Sequence, residues 1–132
     1  MSKRSGFMRL PGDKSSIEYE ATERKVVMHF DVLPEFCYFE GTEVQRGYSA
    51  VWIDAAMAQL VSRVTSGEYA AATLEMKLNY VQPVIGRLVT AEASIERIGR
   101  SVAFLEGCLL DEESKLLIAA SSTIMLVRAN ND

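Results

Sequence analysis

Histidine and cysteine are scarce in this sequence, and their scarcity excludes several classes of site. The 132 residues contain one histidine, His29, and two cysteines, Cys37 and Cys108. No cysteine or carboxylate cluster stands near His29 in the sequence, so no metal centre is predicted. The cysteines lie in apolar surroundings without CxxC spacing, which is typical of reduced thiols in a cytoplasmic protein.

An excess of basic charge and a long apolar run are also missing. The formal net charge of −4 at pH 7 argues against a nucleic-acid-binding surface, because such surfaces are basic. No apolar run is long enough to span a bilayer, and residues 1–14 lack the apolar core of a secretory signal. We therefore expect a cytoplasmic protein that binds neither nucleic acid nor membrane. The length predicts one domain, over residues 15–128, between a flexible N-terminal tail (1–14) and a C-terminal tail (129–132).

A nearly apolar stretch from Gly47 to Val61 is the centre of the predicted fold. It reads as a helix that continues to about Thr65, and its apolar residues cover all directions rather than one stripe. One sheet can cover only one side of such a helix, so the other side is expected to pack on a second subunit, as a homodimer or a tetramer. The only charge in this stretch is Asp54. A buried carboxylate is costly, so Asp54 is either satisfied structurally or faces a functional site.

Six segments with alternating apolar and polar residues predict β-strands around this helix. Their expected ranges are 16–22, 25–33, 73–82, 88–98, 101–110 and 115–127. The third strand is predicted to present one common face made of Leu74, Met76, Leu78 and Tyr80. The last strand is predicted to turn inward the row Ile118, Ala120, Ser122, Ile124 and Leu126. The loop before the helix is rich in aromatic residues, which suits either a lid or the lining of a ligand pocket.

Two segments give the sequence a resemblance to a known family. The segment from Gly41 to Met57 is similar to the pattern G-x-x-H-G-G-x-x-x-x-x-x-D-x-A of the PaaI-like acyl-CoA thioesterases. The segment from Thr73 to Gly86 resembles a strand of the same family, and the similarity covers roughly Ile17 to Val127. The resemblance implies an α+β hotdog fold, in which a curved antiparallel sheet of about six strands wraps one long central helix.

The same resemblance implies roles for individual residues. Asp54 matches the catalytic carboxylate of the family, and Gly47 matches a glycine whose backbone N–H polarises the thioester carbonyl. Thr73 falls near a residue that helps to place the attacking water. Gln45 stands where the family has histidine, so its amide is expected to supply a second hydrogen bond, and Arg46 replaces a glycine.

The expected activity is hydrolysis of an acyl-CoA thioester. Asp54 would be the general base or the nucleophile, and the Gly47 N–H would be the oxyanion donor. Coenzyme A enters only as part of the substrate, and no cofactor is expected. The two arginines at a predicted hairpin turn could hold the phosphates of coenzyme A. The full set of expected substrate contacts is Tyr48, Phe39, Glu40, Arg97 and Arg100.

Other interpretations stay open at this point. Asp54 could be a structural helix residue, Gln45 a plain loop amide, and the hairpin arginines merely solvated. The main alternative function is a hotdog module that binds an acyl-CoA or another apolar ligand without turnover, which the loss of the motif histidine favours. A purely structural dimer is a third possibility. A hotdog dehydratase or hydratase would pair a histidine with a carboxylate, and His29 is far from the helix in sequence.

Overall fold

One long helix and six strands form the fold of this computed structural model, which describes residues 10–39 and 41–129. The helix α1 spans Arg46–Val64, and a short 3-10 helix, Pro34–Phe36, precedes it. The strands are β1 (Asp13–Glu20), β2 (Lys25–Asp31), β3 (Tyr69–Tyr80), β4 (Leu88–Ile98), β5 (Val102–Leu110) and β6 (Leu116–Arg128). No helix among the described residues combines the length and the apolar character that crossing a membrane requires.

The six strands form a single antiparallel sheet in the order β1-β2-β4-β5-β6-β3. Its edge strands are therefore β1 and β3. The helix α1 packs on one face of the sheet, against β2, β3, β4 and β5. The patterns predicted one helix and six strands, and their arrangement is the α+β architecture that the family resemblance implies.

The face of the sheet toward α1, called the inner face below, carries the core. The predicted alternation is confirmed in β2, β4 and β6, where the inward residues are buried: Val26, Met28, Phe30, Val89, Ala91, Ala93, Ile118, Ala120, Ser122 and Ile124. The helix contributes the buried residues Ser49, Trp52, Ile53, Ala56, Met57, Leu60 and Val61. Its opposite side is open in the single chain, where Val51 is 41% exposed and Ala58 is also exposed. The apolar circumference of α1 is thus only half covered by its own sheet.

The end of α1 is the predicted one. Val64 is the last helical residue and Thr65 is the C-cap, and the next two backbone N–H groups bond back to the final turn. Ser66 donates to the Arg63 carbonyl at 3.2 Å, and Gly67 donates to the Ser62 carbonyl at 2.7 Å. This pair of bonds is a Schellman motif, which supplies donors to carbonyls that have none inside the helix.

Strand β3 departs from the predicted alternation. Thr73 pairs with Ile124 and Met76 pairs with Ser122, with two residues between the pairs on β3 and only one on β6. The extra residue is a β-bulge, which reverses the alternation of side chains on one side of it. Leu74 is therefore 57% exposed, and Thr73 lies on the inner face in its place. The prediction that Leu74 shares the face of Met76 is wrong because the bulge intervenes.

The chain before β2 is tied to the core earlier than predicted. Strand β1 begins at Asp13 instead of residue 16, so residues 13 and 14 belong to the sheet. The Trp52 indole donates to the Pro11 carbonyl at 2.7 Å, which joins this segment to the buried side of α1. Gly12 has a φ of +70°, and its carbonyl accepts from the Asp31 N–H at 2.8 Å.

Replacing Gly12 by alanine is expected to lower the free energy of unfolding by about 2–3 kcal/mol. A Cβ at this residue would collide with the Asp31 carbonyl oxygen, and the positive φ is strained for any side chain. Urea denaturation measures the change. The control is Gly47→Ala, because a Cβ there meets nothing within 4 Å and the backbone φ is not positive. Equal losses in the two variants would contradict the prediction.

Candidate active site

The predicted carboxylate and the predicted threonine lie in direct contact. The Thr73 hydroxyl donates to Asp54 Oδ1 at 3.0 Å. Asp54 is half-buried on the side of α1 that the sheet leaves open, and within the described residues its second oxygen has no protein partner. A carboxylate held at one oxygen and free at the other can accept a proton from a water molecule. Asp54 is therefore not sealed by packing in the single chain.

The β-bulge is what makes this contact possible. Thr73 belongs to the inner face only because the extra residue of the bulge, Leu74, follows it. With regular alternation Leu74 would take that inner place, and the Thr73 hydroxyl would point away from α1. The contact thus joins a helix residue to a strand residue 19 positions later through an irregularity of the strand.

The start of α1 holds the second group of predicted residues. Gln45 is the residue before the first helical one, and its side chain does not cap the helix. Instead its amide Nε2 donates to the Cys37 carbonyl at 3.3 Å, which fixes the preceding loop. Gly47 is exposed in the first turn, where backbone N–H groups have no acceptor inside the helix. The Gly47 N–H therefore remains a hydrogen-bond donor at the positive end of the helix dipole.

Arg46 is a residue of this region to which the sequence assigned no role. Its backbone N–H and its Nη1 both donate to the Tyr38 hydroxyl at 3.4 Å, and its guanidinium lies 5.2 Å from the centre of the Tyr80 ring. The Tyr80 hydroxyl donates back to the Arg46 carbonyl at 3.3 Å. A cleft of about 130 Å³ opens beside them, lined also by Glu43 and Gln82. The family pattern has glycine where Arg46 stands, so the pattern carried no signal for this contact.

The five predicted substrate contacts lie in different places. Tyr48 is half-buried, with its ring 4.7 Å from the Phe36 ring, whereas Phe39 is 91% exposed. Glu40 lies outside the described residues. Arg97, near the end of β4, and Arg100, in the β4–β5 turn, are both exposed. The structure therefore separates the arginines from the aromatic residues near the helix start.

The β4–β5 turn lies toward the end of the sheet where Thr73 is found. On β5, Ala103 pairs with Ile124 of β6, which in turn pairs with Thr73 of β3. Two strand spacings separate Ala103 from Thr73, a distance of about 10 Å. Arg100 lies three residues before Ala103, so its long side chain is on the same end of the molecule as the Asp54–Thr73 pair.

The predicted oxyanion donor and the predicted general base are separated along α1. Gly47 and Asp54 are seven residues apart in one continuous helix, which corresponds to about 10 Å along its axis. A hydrogen bond to a carbonyl oxygen and an attack on its carbon both need atoms within about 3 Å of the same group. One carbonyl group cannot satisfy both residues of the same chain.

The remaining titratable groups of interest lie on the outer face of the sheet. His29 is on the face opposite α1, where its Nδ1 is 2.9 Å from the Thr90 hydroxyl and its Nε2 is 3.8 Å from Glu18 Oε2. Burial, and secondly the Glu92 carboxylate, raise the pKa of the Cys108 thiol. A thiol with a raised pKa is a poor nucleophile, so Cys108 is not a catalytic candidate. No cluster able to hold a metal ion is found in residues 10–39 and 41–129.

Comparison with known proteins shows that a family model covers most of these residues. The model of the thioesterase superfamily matches residues 45–118, a range that contains Gln45, Gly47, Asp54 and Thr73. No curated protein gives a match. Among solved structures, a Bacillus halodurans protein with CoA has a TM-score of 0.76 at 22% identity, over 87% of this chain and 75% of that chain.

Two further structures show the same likeness. A hypothetical thioesterase from Streptococcus pneumoniae TIGR4, with coenzyme A, has a TM-score of 0.76 at 18% identity, over 88% of each chain. A phenylacetic acid degradation-related protein from Ralstonia eutropha JMP134 has a TM-score of 0.76 at 24% identity, over 83% of each chain. At these identities the likeness shows the fold, and the predicted hotdog fold is confirmed.

Proposed function

The chain belongs to the thioesterase superfamily, and we propose that it is a PaaI-like enzyme that hydrolyses an acyl-CoA thioester. The contact of the Thr73 hydroxyl with Asp54 on the open side of α1 carries this proposal. It gives a carboxylate with one fixed and one free oxygen, which is what activation of a water molecule needs. The presence of CoA in two of the structural neighbours supports a coenzyme A ester as the substrate.

In the proposed reaction Asp54 acts as the general base. Its free oxygen accepts a proton from a water molecule, and the water oxygen bonds to the thioester carbon. The carbonyl oxygen becomes an oxyanion, which the Gly47 N–H stabilises together with the positive end of the helix dipole. The C–S bond then breaks, the acyl group leaves as the carboxylic acid, and the sulfur of coenzyme A takes up the proton. No cofactor takes part in these steps.

Two copies of the chain are proposed to form each site. Gly47 and Asp54 are about 10 Å apart on one helix, so the donor and the base for one thioester come from different subunits. The exposed side of α1 and the unpaired edge of β3 offer apolar surface for such association, where Val51 is 41% and Leu74 is 57% exposed. A buried dimer interface would also cover the apolar side of the helix that the sheet leaves open.

The loop before α1 is proposed to hold the acyl group. The Phe39 side chain is exposed, and the half-buried Tyr48 ring packs on Phe36. Glu40 is proposed as a further contact of the same loop. Gln45 is proposed to act through its amide, which has one N–H engaged at the Cys37 carbonyl and a second N–H left for the substrate.

Replacing both Arg97 and Arg100 by alanine is expected to raise the KM for an acyl-CoA about tenfold without changing kcat. Both side chains are exposed and have no acidic partner among the described residues, so they are proposed to bind the phosphates of coenzyme A. The same acyl group on pantetheine, which lacks the nucleotide phosphates, serves as the matched substrate. Its kinetics should be the same in both proteins. An equal rise of KM for the pantetheine ester would contradict the assignment.

A panel of acyl-CoA esters with aliphatic and aromatic acyl groups tests the proposed function. Release of the free thiol is followed spectrophotometrically, and binding of each ester is measured separately by calorimetry. Turnover of at least one ester supports the proposal. Binding of the esters without release of any thiol would overturn it in favour of a hotdog module that holds an acyl-CoA, an outcome that fits an amide at Gln45 in place of the motif histidine.

A further inference from the structure

Ser122 is a buried polar residue in an otherwise apolar row of β6. Its neighbours on the inner face are Ala120 and Ile124, and its own side chain is 4% exposed. The other buried polar residue of the described chain, Ser49, bonds within its own helix to the Arg46 carbonyl. Ser122 instead bonds across the sheet, which calls for a separate explanation.

The partner of Ser122 is the backbone of the β-bulge in β3. Its hydroxyl donates to the Glu75 carbonyl at 2.7 Å. Glu75 is the residue at which the register of β3 against β6 resumes after the bulge. A bulge disrupts the ladder of backbone hydrogen bonds, and a carbonyl that loses its donor destabilises the fold. The Ser122 hydroxyl supplies a donor at the place where the strand geometry is irregular.

The bulge in turn controls the direction of Thr73. Regular alternation would place Leu74 on the inner face and Thr73 on the outer face. The bulge exchanges them, and the Thr73 hydroxyl then reaches Asp54 Oδ1 at 3.0 Å. The contact between β3 and α1 therefore depends on the contact between β6 and β3.

We propose that Ser122 is a positioning residue, which holds the β3 bulge and so keeps the Thr73 hydroxyl on Asp54. The proposal rests on the proposed function, in which Asp54 is the base. Ser122 itself pairs with Met76 on the neighbouring strand and is buried, so it is not proposed to touch the substrate. Its loss is expected to leave substrate binding intact and to impair the step in which the carboxylate accepts a proton.

The first test is independent of turnover. Amide hydrogen exchange at Leu74 and Glu75 is expected to become at least tenfold faster in Ser122→Ala, because the bulge loses its hydrogen bond. The matched control is Ser121→Ala, which removes the hydroxyl of the preceding, exposed serine on the outer face. Unchanged exchange at the bulge in Ser122→Ala, or equal acceleration in both variants, would overturn the proposal.

The second test measures kcat and KM in a double-mutant cycle. Ser122→Ala and Thr73→Ala are each expected to lower kcat about tenfold with KM unchanged, and the double variant is expected to lower kcat no further. Additive losses would show that Ser122 acts on activity by another route and would overturn the proposal. The isosteric pair Ser122→Thr and Ser122→Val covers the case in which the alanine variant does not fold. The Ser122→Thr variant should keep both its activity and the slow amide exchange at the bulge, whereas Ser122→Val should lose both. Identical behaviour of the threonine and valine variants would overturn the inference.

The outcomes separate this inference from the proposed function. If Asp54→Asn keeps wild-type turnover, the assignment of Asp54 as the base is wrong. The exchange experiment still decides whether Ser122 holds the bulge. If Asp54→Asn abolishes turnover and Ser122→Ala changes neither exchange nor kcat, the function stands and the positioning role is wrong.

Discussion

Asp54→Asn is expected to lower kcat for an acyl-CoA by about 1,000-fold with little change in KM, because removal of a general base costs about 100- to 10,000-fold. Asparagine has the shape of aspartate, and its carbonyl oxygen can still accept from the Thr73 hydroxyl. In the native protein this hydroxyl donates to Asp54 Oδ1 at 3.0 Å. The amide cannot accept the proton of the attacking water. Thiol release under saturating substrate measures the loss.

Two controls make the Asp54→Asn result specific. The variant should keep its free energy of unfolding within about 1 kcal/mol, since no buried pair or packing is removed. Glu23→Gln, at an exposed carboxylate in the turn between β1 and β2, removes the same charge at the edge of the sheet opposite β3 and should keep full activity. Turnover of Asp54→Asn at the rate of Glu23→Gln would contradict the assignment of Asp54 as the base.

The fold could be predicted from the sequence where one face of a strand is buried. In β2 the row Val26, Met28 and Phe30, which alternates mostly with polar residues, is enough to predict the buried face, because a shift of one residue would expose the whole row. The apolar circumference of α1 likewise predicted the helix as the centre of the fold. These are local patterns whose meaning does not depend on a distant partner.

The irregular parts of the fold depend on distant partners, and the local pattern failed there. Leu74 reads as an inward residue of β3, but a bulge against β6 turns it outward. The start of β3 at Tyr69 was also missed, four residues before the predicted one, where Arg128 of β6 lies 5.1 Å from the centre of the Tyr69 ring. Both features are set by pairing with residues about 50 to 60 positions later in the chain.

The candidate site divides in the same way. Asp54 is visible in the sequence as the one charge of an apolar helix, and the family resemblance assigned its role and that of Thr73. The Gln45 amide could not be placed from sequence, because its contact at the Cys37 carbonyl depends on the path of the loop. The separation of Gly47 from Asp54 follows from helix geometry alone, and it predicts that each site combines residues of two subunits.

Two inactive variants are expected to regain activity when they share a dimer. Gly47→Pro removes the oxyanion donor and should lower kcat by about 100- to 1,000-fold, whereas Gly47→Ala keeps the N–H and should remain active. Neither Gly47→Pro nor Asp54→Asn alone should turn over substrate at an appreciable rate. After the two proteins are unfolded together in equal amounts and refolded, about a quarter of wild-type activity is expected for a two-fold symmetric dimer.

The fraction follows from the composition of the mixture. Half of the dimers are mixed, and in each mixed dimer one site combines the intact Gly47 of one subunit with the intact Asp54 of the other, whereas the second site carries both changes.

The geometry of α1 supports a site shared between two subunits, because Gly47 and Asp54 are equally distant from the midpoint between Ala50 and Val51. Two copies of α1 packed antiparallel about that midpoint would bring each N–H opposite the partner's carboxylate. Circular dichroism and thermal unfolding of each variant check that α1 is retained. A refolded mixture no more active than the two variants measured apart would mean that each site lies within one chain.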